Sequence, residues 1–489
     1  MRCERPRERA YRKDAMQTSR RRFLSGMLAT AGAGGARVLS AQHTGHSRPA
    51  TIGDASAPAP MSPVSGVVET PDLPKAAWQL ENGAKAFRLR AEPVRTHFLP
   101  GREVDTWGFN GSMPGPTIEV NQGDRVRFVV ENGLPELFSM HWHGLEVPPE
   151  MDGVPGLLQD PIPPGGTFTY EFTLHQHGTF FYHSHMPMQE LMGLVGLFVV
   201  HPAEPYDPPV DRDFGLVWQG WALLPHNTVP NTMAMEFNWL TINGRSGPAA
   251  TPLLVKHGER VRIRNVNLSM DHHPIHLHGN TFYTVGTEAG RVPRTAWQPG
   301  NTVIVGVAQA RDIEFEARTV GDWMLHCHLP HHMMNQMMSM VGPITHGTPA
   351  VPAGLDMTAG MGIVEQGHAL SDSLGPSLGR TLGVPHDQPV MNGRLLGPPA
   401  NDGQVDAASM GQHAGHDMAA PPGARSVPGY PQDMWMVMDE RVAKPETHGL
   451  RPSWTGGMMG MMTMVRVLEP ERYDEIQALK QQAREEGRA

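Results

Sequence analysis

Cysteine is nearly absent from this chain: among 489 residues there are two, Cys3 and Cys327. A scaffold held together by several disulfides is thereby excluded. Charge is sparse as well, with Asp, Glu, Lys and Arg making up 18% of the chain. The formal balance of −9 argues against nucleic acid as a partner. No apolar run reaches the length needed to span a bilayer, so no membrane anchor is expected.

Glycine (54) and proline (46) are plentiful, which implies many turns and leans towards β architecture. Methionine (32) and histidine (26) are also in excess. Both can donate to soft or borderline metals, although methionine alone also fills cores. The length allows two or three domains with a sizeable core.

Near the N-terminus, Ser19-Arg20-Arg21-Arg22-Phe23-Leu24 precedes a short Ala/Gly-rich run to Ala36 and a small-residue site at Ser40-Ala41. Residues 1–41 therefore read as a twin-arginine signal peptide, with Met16 an alternative start. The expected location is the periplasm or the medium. Cleavage there would remove Cys3 with ten basic and three acidic residues, taking the charge from −9 to −16. Cys327 would then be the sole thiol, and the favoured partners are cations or neutral reductants.

Residues 42–84, rich in Pro, Ala and Ser, are expected to be a flexible lead-in. Apolar and polar residues then alternate in short runs such as Arg125–Val129 and Phe168–Phe172, the period of strands in an antiparallel sandwich. An internal repeat organises this β-rich region. Gly123 and Gly258, His141 and His276, and His143 and His278 each lie 135 apart. Gly178 and Gly321, His183 and His326, and His185 and His328 each lie 143 apart. The expectation is an all-β chain with domain 1 at 85–202 and domain 2 at 203–346. A Gly/Pro/His/Met linker (347–429) and a Met-rich tail (430–489) with a helix from Pro470 would complete it.

Four segments concentrate the chemistry: His141-Trp-His143, His183-Ser-His185, His273-Pro-Ile-His276-Leu-His278 and His326-Cys327-His328. Residues i and i+2 of a strand face the same side, so each HxH pair can aim two imidazoles at one place. A single pair is easily accidental. Four pairs in two matched repeats, one enclosing Cys327, point to a multinuclear metal site. A thiolate with imidazoles and a thioether suits copper.

In these four motifs the sequence resembles the multicopper oxidases, over about residues 105 to 345. The resemblance implies two tandem cupredoxin-like Greek-key β-sandwich domains and four coppers per protomer. His273, Cys327 and His332 would be type 1 ligands, with Met337, ten residues after the cysteine, as axial ligand. His141 and His276 would hold type 2 copper; His143, His183, His185, His278, His326 and His328 would hold the type 3 pair. The first repeat has Phe138, Ser184, Gln189 and Leu194 where the second has type 1 ligands, so domain 1 has no such site.

Only 87 residues separate His185 from His273, which leaves no room for a middle domain. The chain thus resembles the two-domain, small-laccase type, which implies a head-to-tail homotrimer whose trinuclear clusters are shared between subunits. The implied reaction is four one-electron oxidations at type 1 copper coupled to reduction of dioxygen to water. Asp152 stands where the family has an acidic proton relay, although Asp before Gly153 is also a common turn pairing. The reductant is cuprous ion, suggested by Met333, Met334, Met338, Met340, Met458, Met459, Met461, Met462 and Met464, or a small phenol or aromatic amine. Two alternatives stay open: a copper nitrite reductase, which needs no type 3 pair, and a non-catalytic copper-binding or storage protein.

Overall fold

A computed structural model describes residues 67–186, 188–223, 227–235, 237–334, 390–391, 394–395 and 437–487. The first half contributes β1 (Trp78–Glu81), β2 (Ala84–Leu99), β3 (Arg102–Phe109), β4 (Gly115–Asn121), β5 (Arg125–Asn132), β6 (Met140–His143), β7 (Thr167–Thr173), β8 (Gly178–Ser184) and β9 (Val195–His201). The second contributes β10 (Arg212–Trp221), β11 (Trp239–Ile242), β12 (Leu253–Lys256), β13 (Arg260–Asn267), β14 (His273–Leu277), β15 (Phe282–Thr287), β16 (Gly290–Arg291), β17 (Gln298–Gly300), β18 (Thr302–Val305), β19 (Gln309–Glu316) and β20 (Gly321–Cys327). After the pair β21 (Val390–Met391) and β22 (Arg394–Leu395) come β23 (Met462–Leu468) and α1 (Pro470–Glu485).

Period-two patterning builds these strands. In β5, Val126, Phe128 and Val130 enter the first core, while Arg127 turns outward to Glu171 of β7. The first half stacks a sheet ordered β1-β2-β5-β7, with β3 on β2, against one ordered β4-β9-β8-β6. The second half repeats the plan with β11-β10-β13-β19-β15-β16, β17 on β15, against β12-β23-β20-β14-β18. This is the cupredoxin-like all-β architecture anticipated from the repeat.

The sheets are mixed, not antiparallel throughout as the strand periodicity suggested. β2–β5, β4–β9, β10–β13 and β12–β23 run parallel. Alternation of side chains reports a half-buried strand whatever its partner's direction, and Greek-key crossovers bring like-directed strands together.

Two boundaries differ from those read in the sequence. Part of the expected lead-in is built into the fold: Val68 is fully buried in the seam between the halves, Glu69 bridges to β10, and β1 pairs with β2. The apolar contact and backbone bonds outweigh a Pro-rich composition. More consequentially, β23 is no tail strand. It lies inside the second sheet, between β12 and β20, and pairs with the strand that carries His326 and Cys327. Helix α1 opens at Pro470 and packs Tyr473 and Ile476 on Leu254 and Leu468.

Strand β23 occupies in the second sheet the place of β9 in the first. Val200 of β9 faces Gly178, and Val467 of β23 faces Gly321, the two glycines of the repeat. The seam between halves is both apolar and ionic. Val68, Phe181, Val195, Leu197, Val217, Val266 and Ala310 pack together, and Thr179 donates to Asp312 at 2.7 Å while accepting from Arg264 at 2.7 Å.

Candidate metal centre

Strands β6 and β8 pair so that His141 faces His183, and β14 and β20 pair so that His276 faces His326. Alternation then sets two faces on β20: Cys327 enters the core with Ile275, while His326 looks out with His276. One strand thereby serves two metal groupings on opposite faces.

The first grouping is His273, Cys327 and His332, all buried. The three Nδ1 and Sγ atoms form a triangle with His273–His332 at 3.1 Å, Cys327–His332 at 3.5 Å and Cys327–His273 at 3.6 Å. A point equidistant from all three lies about 2.0 Å from each, which is close to metal–ligand bond lengths of roughly 2.0–2.3 Å. Asp271 Oδ2 sits 3.5 Å from His332 Nε2, which directs that ring's Nδ1 to the thiol. Burial holds the His273 imidazole down at about 3, so its lone pair is available at neutral pH. Burial also pushes the Cys327 thiol up to about 12. Without metal the thiol keeps its proton, and a soft cation must displace it.

The second grouping gathers His276, His278, His326 and His328; the third gathers His141, His143, His183 and His185. The two are built alike. His183 Nδ1 donates to the Ser184 carbonyl and His326 Nδ1 to the Cys327 carbonyl, each at 2.8 Å. Their Nε2 atoms approach His143 at 3.3 Å and His278 at 3.1 Å. His141 Nδ1 donates to the Asp152 carbonyl and His276 Nδ1 to the Asn301 carbonyl, both at 2.7 Å. Those bonds fix tautomers and leave the opposite nitrogens for metal. Burial and the neighbouring imidazoles hold His143 at about 4, and burial does the same for His183 and His326. Nitrogens brought this close together could hold a metal ion.

Among the described residues no ring contact or hydrogen bond joins the third grouping to the second. In both, one ring of the later pair, His185 or His328, stays exposed, as does His278. Met337 lies outside the described residues. Two carboxylates beside the sites were missed in the sequence. Asp271 is two residues before His273, and Glu190, five after His185, has Oε2 3.5 Å from His183 Nδ1. Burial raises the Glu190 pKa. Only the sequence nearness of each to a histidine motif could have signalled them. Asp152, besides its carbonyl bond, brings Oδ1 to 3.5 Å from His141 Nδ1.

Family models described as multicopper oxidase match residues 91–205 and 223–342, one on each repeat. The chain belongs to the multicopper oxidase family. Membership of that family implies copper binding, and the three groupings are clusters that could hold a metal ion. The chain is 40% identical over 123 residues to copper resistance protein A of Pseudomonas syringae pv. tomato, covering 25% of this chain and 20% of that one. It is 42% identical over 154 residues to laccase-1 of Cryptococcus neoformans, covering 31% and 23%. The alignments thus span about a fifth of the length of these curated relatives. A blue copper oxidase from Nitrosomonas europaea is 31% identical over 51% of this chain and 81% of that one, with a TM-score of 0.48.

Proposed function

We propose that this chain is a two-domain copper oxidase that couples one-electron oxidation of a small reductant to reduction of dioxygen to water. The observation that carries it is the division of labour on β20, where Cys327 faces one donor group and its neighbours His326 and His328 face another. A storage protein has no use for a covalent bridge between two sites.

In this reading His273, Cys327 and His332 would hold type 1 copper, with Met337 the fourth donor read from the sequence. His141 and His276 would hold type 2 copper, and the other six histidines would hold the type 3 pair, four ions per protomer in all. The bound ions would supply the stepwise transfer of electrons from reductant to oxygen. The residues do the rest. Burial keeps the His273 and His326 imidazoles neutral, Asp271 orients His332 and the Cys327 carbonyl orients His326, and the peptide from Cys327 to His326 spans the two groupings. Asp152 is the proton relay, its carboxylate lying beside His141. Reduction to water consumes protons, and this carboxylate is 28% exposed, so it can draw them from solvent.

Two separate, partly exposed histidine foursomes support a head-to-tail homotrimer in which each cluster combines domain 1 of one subunit with domain 2 of the next. Cuprous ion is favoured over phenols by one observation. Met324, Met333, Met458, Met462 and Met464 gather beside β20, and thioethers prefer Cu(I). Export by the twin-arginine route rests on residues 19–24, outside the described residues. No described helix is long and apolar enough to cross a membrane.

Oxygen uptake by the copper-loaded protein, with Cu(I) and with a phenol in parallel, tests the reading. Uptake with water as product supports it, and the faster reductant identifies the substrate class. No uptake with either would refute it. Cys327→Ser should remove the blue colour and substrate oxidation together while leaving cluster copper largely bound.

A further inference from the structure

The sequence put the fourth donor of the thiolate site at Met337, by counting from Cys327. The register of the second sheet identifies a different sulfur. His326 faces Met462 across β20 and β23, so the next pair outward sets Cys327 opposite Met461. The Cys327 N–H donates to the Met461 carbonyl at 3.1 Å, and the Met461 N–H donates to the His332 carbonyl at 2.8 Å. Met461 is thus tied by its backbone to two of the three donors. Residues opposite each other across a ladder project to the same face, which here is the face of the thiol. Met461 is fully buried and belongs to the same apolar cluster as Cys327 and Ile275.

The first domain repeats this arrangement bond for bond with Ser184 and Gln189 in place of the thiol and the imidazole. There the Ser184 N–H donates to the Leu194 carbonyl at 3.0 Å, and the Leu194 N–H donates to the Gln189 carbonyl at 3.2 Å. Ser184 and Gln189 are the counterparts of Cys327 and His332, so Leu194 is the counterpart of Met461. The chain around each agrees: Met192-Gly193-Leu194-Val195 stands against Met459-Gly460-Met461-Met462. Both glycines have positive φ, 112° at Gly193 and 57° at Gly460. A Cβ at Gly460 would lie 2.3 Å from the His332 carbonyl oxygen, so glycine lets this turn press on the metal loop.

The geometry points to Met461, delivered by β23, as the axial thioether of the site formed by His273, Cys327 and His332. A trigonal His2Cys site takes a weak axial sulfur that tunes its potential. The inference rests on the copper reading above and replaces only its fourth ligand. It makes the redox centre a composite of three separate stretches, 273, 327–332 and 461.

The test compares Met461→Leu, Met461→Gln and Met337→Leu with the parent, all as copper-loaded full-length protein. Readouts are copper content, the thiolate-to-copper absorption band, the EPR spectrum and equilibrium with a one-electron mediator. Leucine keeps the volume and apolar character of the buried site, so the fold should persist. Met461→Leu should retain the band and favour the reduced centre by about tenfold, or about 59 mV for one electron. Met461→Gln should move it the opposite way with an altered EPR spectrum, while Met337→Leu should match the parent. The reverse pattern, or no change in either Met461 variant, overturns the assignment. A parent protein with no thiolate-to-copper band would instead refute the copper reading itself.

Discussion

Removal of β23 should cost the second domain its fold, because that strand is central to its sheet. Six of its side chains and flanks, Met461, Met462, Met464, Val465, Val467 and Leu468, are each no more than 7% exposed. At about 1.5–3 kcal/mol per buried apolar side chain, they contribute roughly 9–18 kcal/mol. Residual burial in the unfolded chain reduces this to roughly 5–16 kcal/mol. A whole domain is stable by only about 5–15 kcal/mol, so the loss matches or exceeds it. The buried Arg466 guanidinium, which donates to Asp322 at 2.7 Å, would go as well. A chain ending at residue 436 should therefore lack cooperative unfolding of domain 2 and bind no copper at Cys327. Coexpressed fragments 1–346 and 437–489 should restore both, since the contacts need no covalent link. Calorimetry, near-UV circular dichroism and copper analysis read the outcome. Cooperative melting and full thiolate-bound copper in the 436-residue chain alone would refute the reasoning.

Asp152→Asn should keep the blue colour and lose most oxygen turnover, as followed by absorbance and an oxygen electrode; full turnover would remove Asp152 from the relay. Copper uptake at Cys327 should release the thiol proton, because burial holds the thiol at about 12, so affinity should rise with pH across the neutral range. Titration in weakly buffered solution measures this, and a pH-independent affinity would contradict it. Glu119 sits at about 2: burial opposes ionisation, but bonds from His201 and Lys75 overcome it. A depressed carboxylate stabilises above its unfolded value and loses that stability as pH falls. Glu119 should therefore contribute about 3 kcal/mol at neutral pH, fading between about pH 4.5 and 2, and Glu119→Gln should flatten the acid limb of a melting curve. Arg264→Met should destabilise by about 3–5 kcal/mol in denaturant titration, since it leaves buried Asp213 with only the Arg262 bond at 3.2 Å in place of two further bonds from Arg264 at 2.7 and 2.8 Å.

The gathering of side chains into the three groupings was legible because strand geometry maps spacing directly onto facing: His141 and His143, or His276 and His278, can be read as one side of a ribbon. The tandem repeat was legible for the same reason. What lay beyond the sequence was partnership across distance. Asp271 reaches His332 only once β14 and the loop after β20 are folded together. Glu190 reaches His183 only through the turn after β8. Strand β23 was misplaced because its counterpart β9 follows β8 closely, whereas more than a hundred residues intervene in the second half. The likeness of Met459-Gly460-Met461 to Met192-Gly193-Leu194 was present, but counting at a constant offset of 143 passed over it.

The late arrival of β23 also orders events during synthesis. Domain 1 has every strand of its sheets in hand by His201, whereas β20 must wait 135 residues between Cys327 and Met462 for its neighbour. At about 5–20 residues per second, that wait lasts about 7–27 s. For that interval one edge of β20 is unpaired, and the thiol that burial later protects faces oxidants and stray metal. A chain that stops in the intervening stretch lacks the segment whose backbone bonds Cys327 and His332, so β23 acts as a completion check on the polypeptide.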